Sequence, residues 1–313
     1  MPLALNFALT VTSPILFMLL LGYVFFRCGM LSQDFTQSGS KLVFNVTLPC
    51  LLFLNVATGD VVVLVQPRLL GSAIVIILLV VTLLWLFSSS LAPAQRGVFV
   101  QCAFRSNMGV VGLALVVNAF GTEILASAGV YLAIMTIIYN ILAVVVLSAA
   151  QHQPEQNLAL RMSRSIVSNP LIIAIALGLI FSLTHLRLPE WLMTSGRYLA
   201  DMTLPLALLC IGGSLSFGRL RGNRSLLIWA TVSKLILVPG LAALTGALIG
   251  LRGTDLGILY LMTGAPTAAA SFVMSHQMEG DADLAADIIA ITTILTAFSS
   301  SAGLMILRAS QLI

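Results

Sequence analysis

The sequence has very little charge for its length. Only 8% of its 313 residues are Asp, Glu, Lys or Arg, whereas 59% are hydrophobic. Soluble domains carry about 25% charged residues, so this composition excludes an ordinary soluble domain. The formal net charge of +4 is spread over predicted loops rather than gathered in one patch. We therefore predict a membrane protein whose partners are membrane lipids and anionic solutes, with no nucleic acid.

Motifs for metals, cofactors and hydrolysis are also missing. The four cysteines stand singly, the three histidines are dispersed, and no His-Glu-x-x-His segment occurs. We predict no metal site, no cofactor and no enzymatic activity. The alternative of an intramembrane hydrolase rests on Glu279-Gly280-Asp281, which resembles part of an aspartyl protease motif. No second embedded Asp lies in a comparable motif.

Long apolar runs recur along the whole chain. A helix needs about 20 apolar residues to cross the roughly 30 Å of hydrocarbon in a bilayer. Ten runs approach this length, at about 8–26, 40–58, 68–90, 98–118, 124–148, 167–186, 196–216, 225–250, 256–276 and 284–307. The sequence therefore predicts an all-α polytopic membrane protein with ten transmembrane helices.

The two halves of the sequence resemble each other. Four residues of the first half recur 156 positions later: Pro14 as Pro170, Gly22 as Gly178, Asn45 as Asp201 and Pro49 as Pro205. Five spans per half is an odd number, so the second half must enter the membrane from the opposite side, as in many secondary transporters. We predict a first five-helix repeat at 1–150, a cytoplasmic linker at 151–166 and an inverted second repeat at 167–313.

The basic residues indicate the orientation. Eight Lys or Arg residues fall in connections assigned to the inside and five in those assigned to the outside. Because cytoplasmic loops are enriched in Lys and Arg, both termini are predicted outside the inner (plasma) membrane.

Helix-weakening residues interrupt the fourth and ninth spans. The freed backbone groups of such breaks need protein or water partners. The pattern favours two discontinuous helices that line a cavity, and their exposed N–H groups suit an anion. Close packing by small residues is the alternative. The candidate substrate-binding residues here are Ser106, Asn107, Gly109, Gly264, Pro266, Thr267 and Ser271.

A polar residue precedes a proline in both the second and the seventh span. Asn45 stands four residues before Pro49, and Asp201 stands four residues before Pro205. A proline cannot donate to the carbonyl one turn back, so Pro49, Pro205 and Pro266 are predicted helix breaks. A carboxylate in hydrocarbon is costly and therefore suggests a partner or a task. We predict Asn45 as a solute ligand and Asp201 as the ion-coupling residue.

Two basic residues also fall inside predicted spans. Lys234 lies ten residues past Arg224, about 15 Å along a helix, which brings it toward the bilayer centre. It could hold a substrate carboxylate or form a structural pair with Asp201. Arg105 lies nearer the cytoplasmic end, and we expect its side chain to snorkel to the interface.

Several motifs together identify a family. They are Lys41 to Pro49 (KLVFNVTLP), Arg105 to Gly112 (RSNMGVVG) with Phe120-Gly121, Leu206 to Leu215 (LALLCIGGSL), and Lys234 followed by Pro239. In order and over nearly the whole chain, they resemble the auxin efflux carrier family. That family includes plant PIN-FORMED carriers and bacterial carriers proposed for malonate and related acids.

The resemblance implies a fold and a site. The fold is two inverted five-helix repeats whose broken fourth and ninth helices cross, similar to bile-acid symporters and sodium/proton antiporters. The solute is expected near this crossover and the second and seventh helices, which here suggests Asn45, Asn107 and Pro266.

The predicted function is secondary transport of a small organic anion, such as malonate or an auxin-like weak acid, by alternating access. Transport is predicted to be proton-coupled or driven by the membrane potential. The alternatives are a sodium-coupled symporter and a membrane sensor or scaffold without transport. The oligomeric state is open, with a homodimer as one alternative.

Overall fold

The computed structural model of the protein describes residues 2–58, 66–151, 168, 170–186, 188–214 and 224–313, and every regular secondary-structure element that it forms there is a helix. This confirms the all-α class, whereas nearly all of the predicted linker at 151–166 lies outside the described residues. The α-helices, numbered along the chain, are α1 (Pro2–Arg27), α2 (Gln33–Leu42), α3 (Leu48–Ala57), α4 (Pro67–Phe87), α5 (Pro93–Phe104), α6 (Leu113–Phe120), α7 (Leu125–Gln151), α8 (Pro170–Thr184), α9 (Glu190–Ser214), α10 (Arg224–Val232), α11 (Val238–Leu248), α12 (Gly253–Gly264), α13 (Ala270–Gln277) and α14 (Ala282–Ala309).

Three described π-helical turns widen the helices locally: Val43–Thr47, Met108–Gly112 and Ser233–Leu237. Two of them are followed by a proline, Pro49 in α3 and Pro239 in α11. Proline lacks the N–H that would bond the carbonyl four residues back, and a wide turn is one way for a helix to absorb that loss. Pro205, in contrast, lies inside α9, which continues through it.

Six described helical segments are long and apolar enough to cross a membrane: Leu5–Arg27, Gln33–Ala57, Pro67–Phe87, Thr122–Ala150, Arg224–Leu248 and Ala282–Ala309. The fourth and ninth predicted spans correspond to the interrupted pairs α5–α6 and α12–α13, and the sixth and seventh to α8 and α9. Large apolar side chains such as Phe17 and Phe298 are exposed, as expected for surfaces that face lipid. The protein is therefore a multi-pass membrane protein.

The first described helix of each half packs on a helix of the other half. α1 packs along α9, and α8 packs along α3. The α1–α9 contact requires two glycines. A Cβ on Gly22 would lie 2.2 Å from the Leu209 carbonyl oxygen, and one on Gly212 would lie 2.1 Å from the Leu19 carbonyl oxygen. Since the obstructing atoms belong to the backbone, any larger residue would push the helices apart.

We predict that Gly212→Ala destabilises the protein, because overpacking a close contact costs about 1–3 kcal/mol. Thermal unfolding of the detergent-solubilised protein measures the effect. The matched control is Gly71→Ala in α4, where a new Cβ would meet nothing within 4 Å. An unchanged unfolding temperature for Gly212→Ala would contradict the tight α1–α9 packing.

Candidate functional site

Two interrupted helices meet at their interruptions. The segment between α5 and the π-helical turn at Met108 runs antiparallel to the segment between α12 and α13, with Ser106 paired to Thr267. The backbone N–H of Asn107 donates to the Pro266 carbonyl at 2.7 Å, and the backbone N–H of Ala268 donates to the Arg105 carbonyl at 3.1 Å. Each break thereby satisfies backbone groups of the other, as a membrane interior requires. We call these two segments, residues 105–107 and 265–269, the junction.

Hydroxyl groups fix the junction to the helices around it. The Thr267 hydroxyl donates to the Cys102 carbonyl at 2.7 Å, and the Ser106 hydroxyl donates to the Thr263 carbonyl at 2.9 Å. The Thr267 amide in turn donates to the Thr292 hydroxyl of α14. The two accepting carbonyls lie in the last turns of α5 and α12, where helix carbonyls have no partner within the helix.

The Lys234 side chain is fully buried beside the junction. Its ammonium group donates to the Ser106 hydroxyl and, at 2.7 Å, to the Thr263 carbonyl. A cation at the carboxyl end of a helix complements the helix dipole, so Lys234 stabilises the end of α12. Among the residues that the structure describes, no carboxylate pairs with it. The alternative Asp201–Lys234 pair is not formed, since Asp201 is exposed on α9.

Arg105 is the second buried cation, with only 7% of the residue exposed. It follows the last residue of α5, and its guanidinium donates to the Asn140 side-chain oxygen and to the Met274 sulfur. The expectation that Arg105 snorkels to the interface is therefore wrong. The extended backbone after Phe104 ends the helix, and the side chain finds partners inside the protein instead of water.

A cavity of about 280 Å³ opens beside the junction. Its walls come from the first two π-helical turns, the junction and α7, with one or two residues each from α2, α3, α8, α9 and α13. Most of its surface is apolar. The lining residues are Ser40, Val43, Phe44, Leu48, Arg105, Ser106, Asn107, Met108, Gly109, Val110, Leu132, Thr136, Tyr139, Leu171, Ala207, Ile211, Ala268, Ala269 and Ala270.

Two helix starts face this cavity. Met108, Gly109 and Val110 begin the second π-helical turn, and Ala270 begins α13. Neither start has a side-chain cap. The first N–H groups of a helix carry partial positive charge and have no acceptor within the helix. The cavity therefore receives positive potential from Arg105 and from two sets of backbone amides.

The predicted site residues separate into three groups. Ser106, Asn107 and Gly109 line the cavity. Two lie on the surface: Asn45, whose amide donates to the Lys41 carbonyl, and Asp201. The third group is buried at or beside the junction without lining the cavity: Lys234, Gly264, Pro266, Thr267 and Ser271.

Sequence reasoning missed the contribution of α7. Leu132, Thr136 and Tyr139 recur at helical spacing on the face that lines the cavity, and the neighbouring Asn140 holds Arg105. The signal was present, because the polar residues Tyr139 and Asn140 lie one helical turn after Thr136 inside an otherwise apolar span.

Comparison with known proteins places the chain in a family. A family model described as "Membrane transport protein" matches residues 7–302. An "Uncharacterized transporter" of Methanothermobacter thermautotrophicus is 24% identical over 302 residues, covering 91% of this chain and 93% of that protein. The "Uncharacterized transporter YfdV" of Escherichia coli K12 is 23% identical over 292 residues, covering 88% of this chain and 91% of that protein. The chain belongs to the membrane transport protein family, which is the family of the auxin efflux carriers.

Proposed function

We propose that the protein is a secondary carrier that moves a small organic anion across the inner membrane by alternating access. The observation that carries this proposal is the excess of positive charge at the junction. Lys234 and Arg105 are both buried, and no carboxylate pairs with either among the described residues. A buried charge without a counter-charge costs several kcal/mol, so an anion in the adjacent cavity is stabilised.

The proposed architecture is the ten-helix inverted repeat. Under this proposal α5–α6 and α12–α13 are the fourth and ninth helices, and they cross at the junction. The reciprocal packing supports it, because Gly22 of α1 contacts α9 whereas Gly178 of α8 contacts α3. These glycines stand at equivalent positions of the two predicted repeats. Each contacts the second predicted span of the other repeat, which is α9 for Gly22 and contains α3 for Gly178. Both termini are proposed to lie on the outer, non-cytoplasmic side of the membrane, as the basic residues indicate.

Asn107 and the helix-start amides are proposed to hold the carboxylate. Asn107 lines the cavity, and its backbone N–H is bonded to the Pro266 carbonyl. The side-chain amide is therefore attached to a backbone that is held in place. Thr267 and Ser106 are proposed to act indirectly, because their hydroxyls already bond carbonyls of α5 and α12. Lys234 is proposed to supply long-range positive potential from behind Ser106.

We expect Lys234→Met to keep the fold but to slow uptake of labelled malonate or indole-3-acetate into proteoliposomes by about tenfold, equivalent to ~1.4 kcal/mol. Methionine fills a similar volume, and exchanging a buried charge for an apolar group is often tolerated by the fold. The matched control is Lys41→Met, which removes the chain's other lysine from an exposed position. Equal uptake by both variants would contradict the role of Lys234. Binding without flux in the unmodified protein would instead favour a sensor or scaffold.

Asp201 is proposed to carry the coupling proton. The alternative is that the bound anion itself carries that proton. α9 reaches the cavity at Ala207 and Ile211, and Asp201 lies six residues before Ala207, about 9 Å along the helix. We expect Asp201→Asn to abolish uptake against a gradient while sparing exchange of internal for external anion. Counterflow and proton-driven uptake in the same proteoliposomes measure both activities. Equal loss of both would contradict the coupling role.

The sodium-coupled alternative is disfavoured by the position of Lys234. Its ammonium bonds the Thr263 carbonyl and the Ser106 hydroxyl, which are oxygen groups of the kind that a sodium ion would need beside the junction. We therefore expect the rate of anion uptake at fixed pH to be the same in sodium and in potassium buffers. A sodium-dependent rate would revive the alternative.

A further inference from the structure

Two groups of helices are each held together by close contacts. In the first, which we call the glycine group (α1, α3, α8 and α9), Gly22 and Gly212 join α1 to α9, Gly178 joins α8 to α3, and Gly196 joins α9 to α3. In the second, which we call the junction group (α5, α6, α12, α13 and α14), the two breaks bond each other. The hydroxyl of Thr292 in α14 bonds the junction as well. The two groups meet along a boundary.

The cavity lies on this boundary, toward one side of the membrane. Leu171 and Ile211 of the glycine group line it, as does Asn107 of the junction. Leu171 is the second residue of α8, and Ile211 lies three residues before the last residue of α9. α1 ends on this same side, because Gly22 packs on Leu209 near the end of α9. The two groups are therefore separated by open space on the side where α1 ends.

In the other half of the boundary, α1 is bonded to the junction group. The side-chain oxygens of Thr12 and Ser301 in α14 share a hydrogen bond of 2.6 Å, and the Asn118 side chain of α6 donates to the Val11 carbonyl at 3.0 Å. Thr12 is buried and lies ten residues before Gly22, about 15 Å along the helix. These bonds therefore close the boundary on the side away from the cavity.

The bond between Thr12 and Ser301 can break without leaving an unpaired polar group. Each hydroxyl also lies within hydrogen-bond distance of a carbonyl in its own helix, Thr12 at 3.0 Å from Ala8 and Ser301 at 2.7 Å from Ala297. A hydroxyl has one proton, so after separation each can donate to its own carbonyl. An unpaired hydroxyl in a membrane interior is costly, and this arrangement avoids that cost in both positions of the helices.

We propose that Thr12, Ser301 and Asn118 form a latch, which holds the boundary closed on the side away from the cavity and opens when the cavity turns to face that side. This inference rests on the alternating access of the proposed function but on no particular substrate. A carrier that opened to both sides at once would let its substrate leak, so one half of the boundary is closed while the other is open. The latch is the polar part of that closure.

The test measures how fast a charged methanethiosulfonate reagent modifies Ala8→Cys in the full-length protein in detergent. Ala8 is fully buried and lies one turn before Thr12 on the same face of α1. Cys28 and Cys50, the cysteines that are not fully buried, are first replaced by serine. Thr12→Val keeps the shape of the side chain and removes the hydroxyl. We expect it to raise the modification rate about fivefold, the usual effect of one hydrogen bond between neutral groups.

The matched control is Thr10→Val. Thr10 lies on the same helix but is exposed, and its hydroxyl donates to the Asn6 carbonyl of its own helix. This variant should leave the modification rate of Ala8→Cys unchanged. Equal rates in the Thr12→Val and Thr10→Val variants would overturn the latch.

A second cysteine distinguishes a change of state from local loosening of α1. Ile211→Cys reports on the cavity, which should close as the latch side opens. In the double variant Thr12→Val/Asn118→Leu we expect Ile211→Cys to react more slowly than in the unmodified background. A faster reaction of Ala8→Cys together with an unchanged reaction of Ile211→Cys would show local loosening and would also overturn the latch.

Locking the latch separates this inference from the proposed function. The two hydroxyl oxygens are 2.6 Å apart, so Thr12→Cys/Ser301→Cys brings two sulfurs within reach of a disulfide. The oxidised variant should take up no labelled malonate or indole-3-acetate into proteoliposomes, and a reductant should restore uptake. Uptake that continues with the disulfide formed would overturn the latch and leave the proposed function standing. If both reporter cysteines respond as expected but the unmodified protein moves no organic anion, the proposed function fails and the latch stands.

Discussion

The exchange of backbone hydrogen bonds between two helix breaks is the constraint on which the rest of the structure depends. In hydrocarbon an unpaired N–H or carbonyl group costs several kcal/mol, so an isolated break is not tolerated. Here Asn107 bonds Pro266, and Ala268 bonds Arg105, so neither break could persist without the other. This mutual dependence holds four half-helices at one point. It also leaves the helix starts on the cavity side without caps, because the extended segments pair with each other and not with the amides that follow them.

The buried cations follow from the same constraint. Ending α5 at Phe104 and α12 at Gly264 leaves carbonyl groups without helical partners, and such carbonyls attract positive charge. Lys234 bonds the Thr263 carbonyl directly, and Arg105 follows directly after the last residue of α5. Helix starts and buried side chains thus contribute charge of the same sign around one cavity. A chain with 15 basic and 11 acidic residues places two of the basic ones here.

The sequence was sufficient to predict which spans are interrupted but not which way each residue faces. Runs of apolar residues predict span positions, and Gly, Pro and Asn predict the breaks at Asn107 and Pro266, because both signals depend on residue type alone. Which side chains face the cavity depends on how each helix is rotated about its axis. Hydropathy cannot determine this rotation, because one side of the helix contacts lipid, the other contacts apolar protein, and both sides are apolar. Asn45 is exposed while its neighbours Val43 and Phe44 line the cavity, because successive residues of a helical turn point in different directions around the helix axis. Arg105 was misjudged for a related reason, since its burial depends on Asn140 from a distant part of the chain.

The partners of Lys234 and Arg105 offset the positive charges of these two side chains to different degrees. The Lys234 ammonium is directed at a helix end, so part of its field is offset by the partial negative charge of α12. Arg105 bonds an amide oxygen and a thioether sulfur, which leave its charge largely uncompensated. A carrier must bind its substrate and then release it. If the substrate is an organic anion, as we propose, a fixed carboxylate next to Arg105 would compete with it for the guanidinium group. Neutral partners orient the guanidinium without that competition. On this argument the end of α12 offsets part of the Lys234 charge, whereas the Arg105 charge is left for the anion that we propose the protein carries.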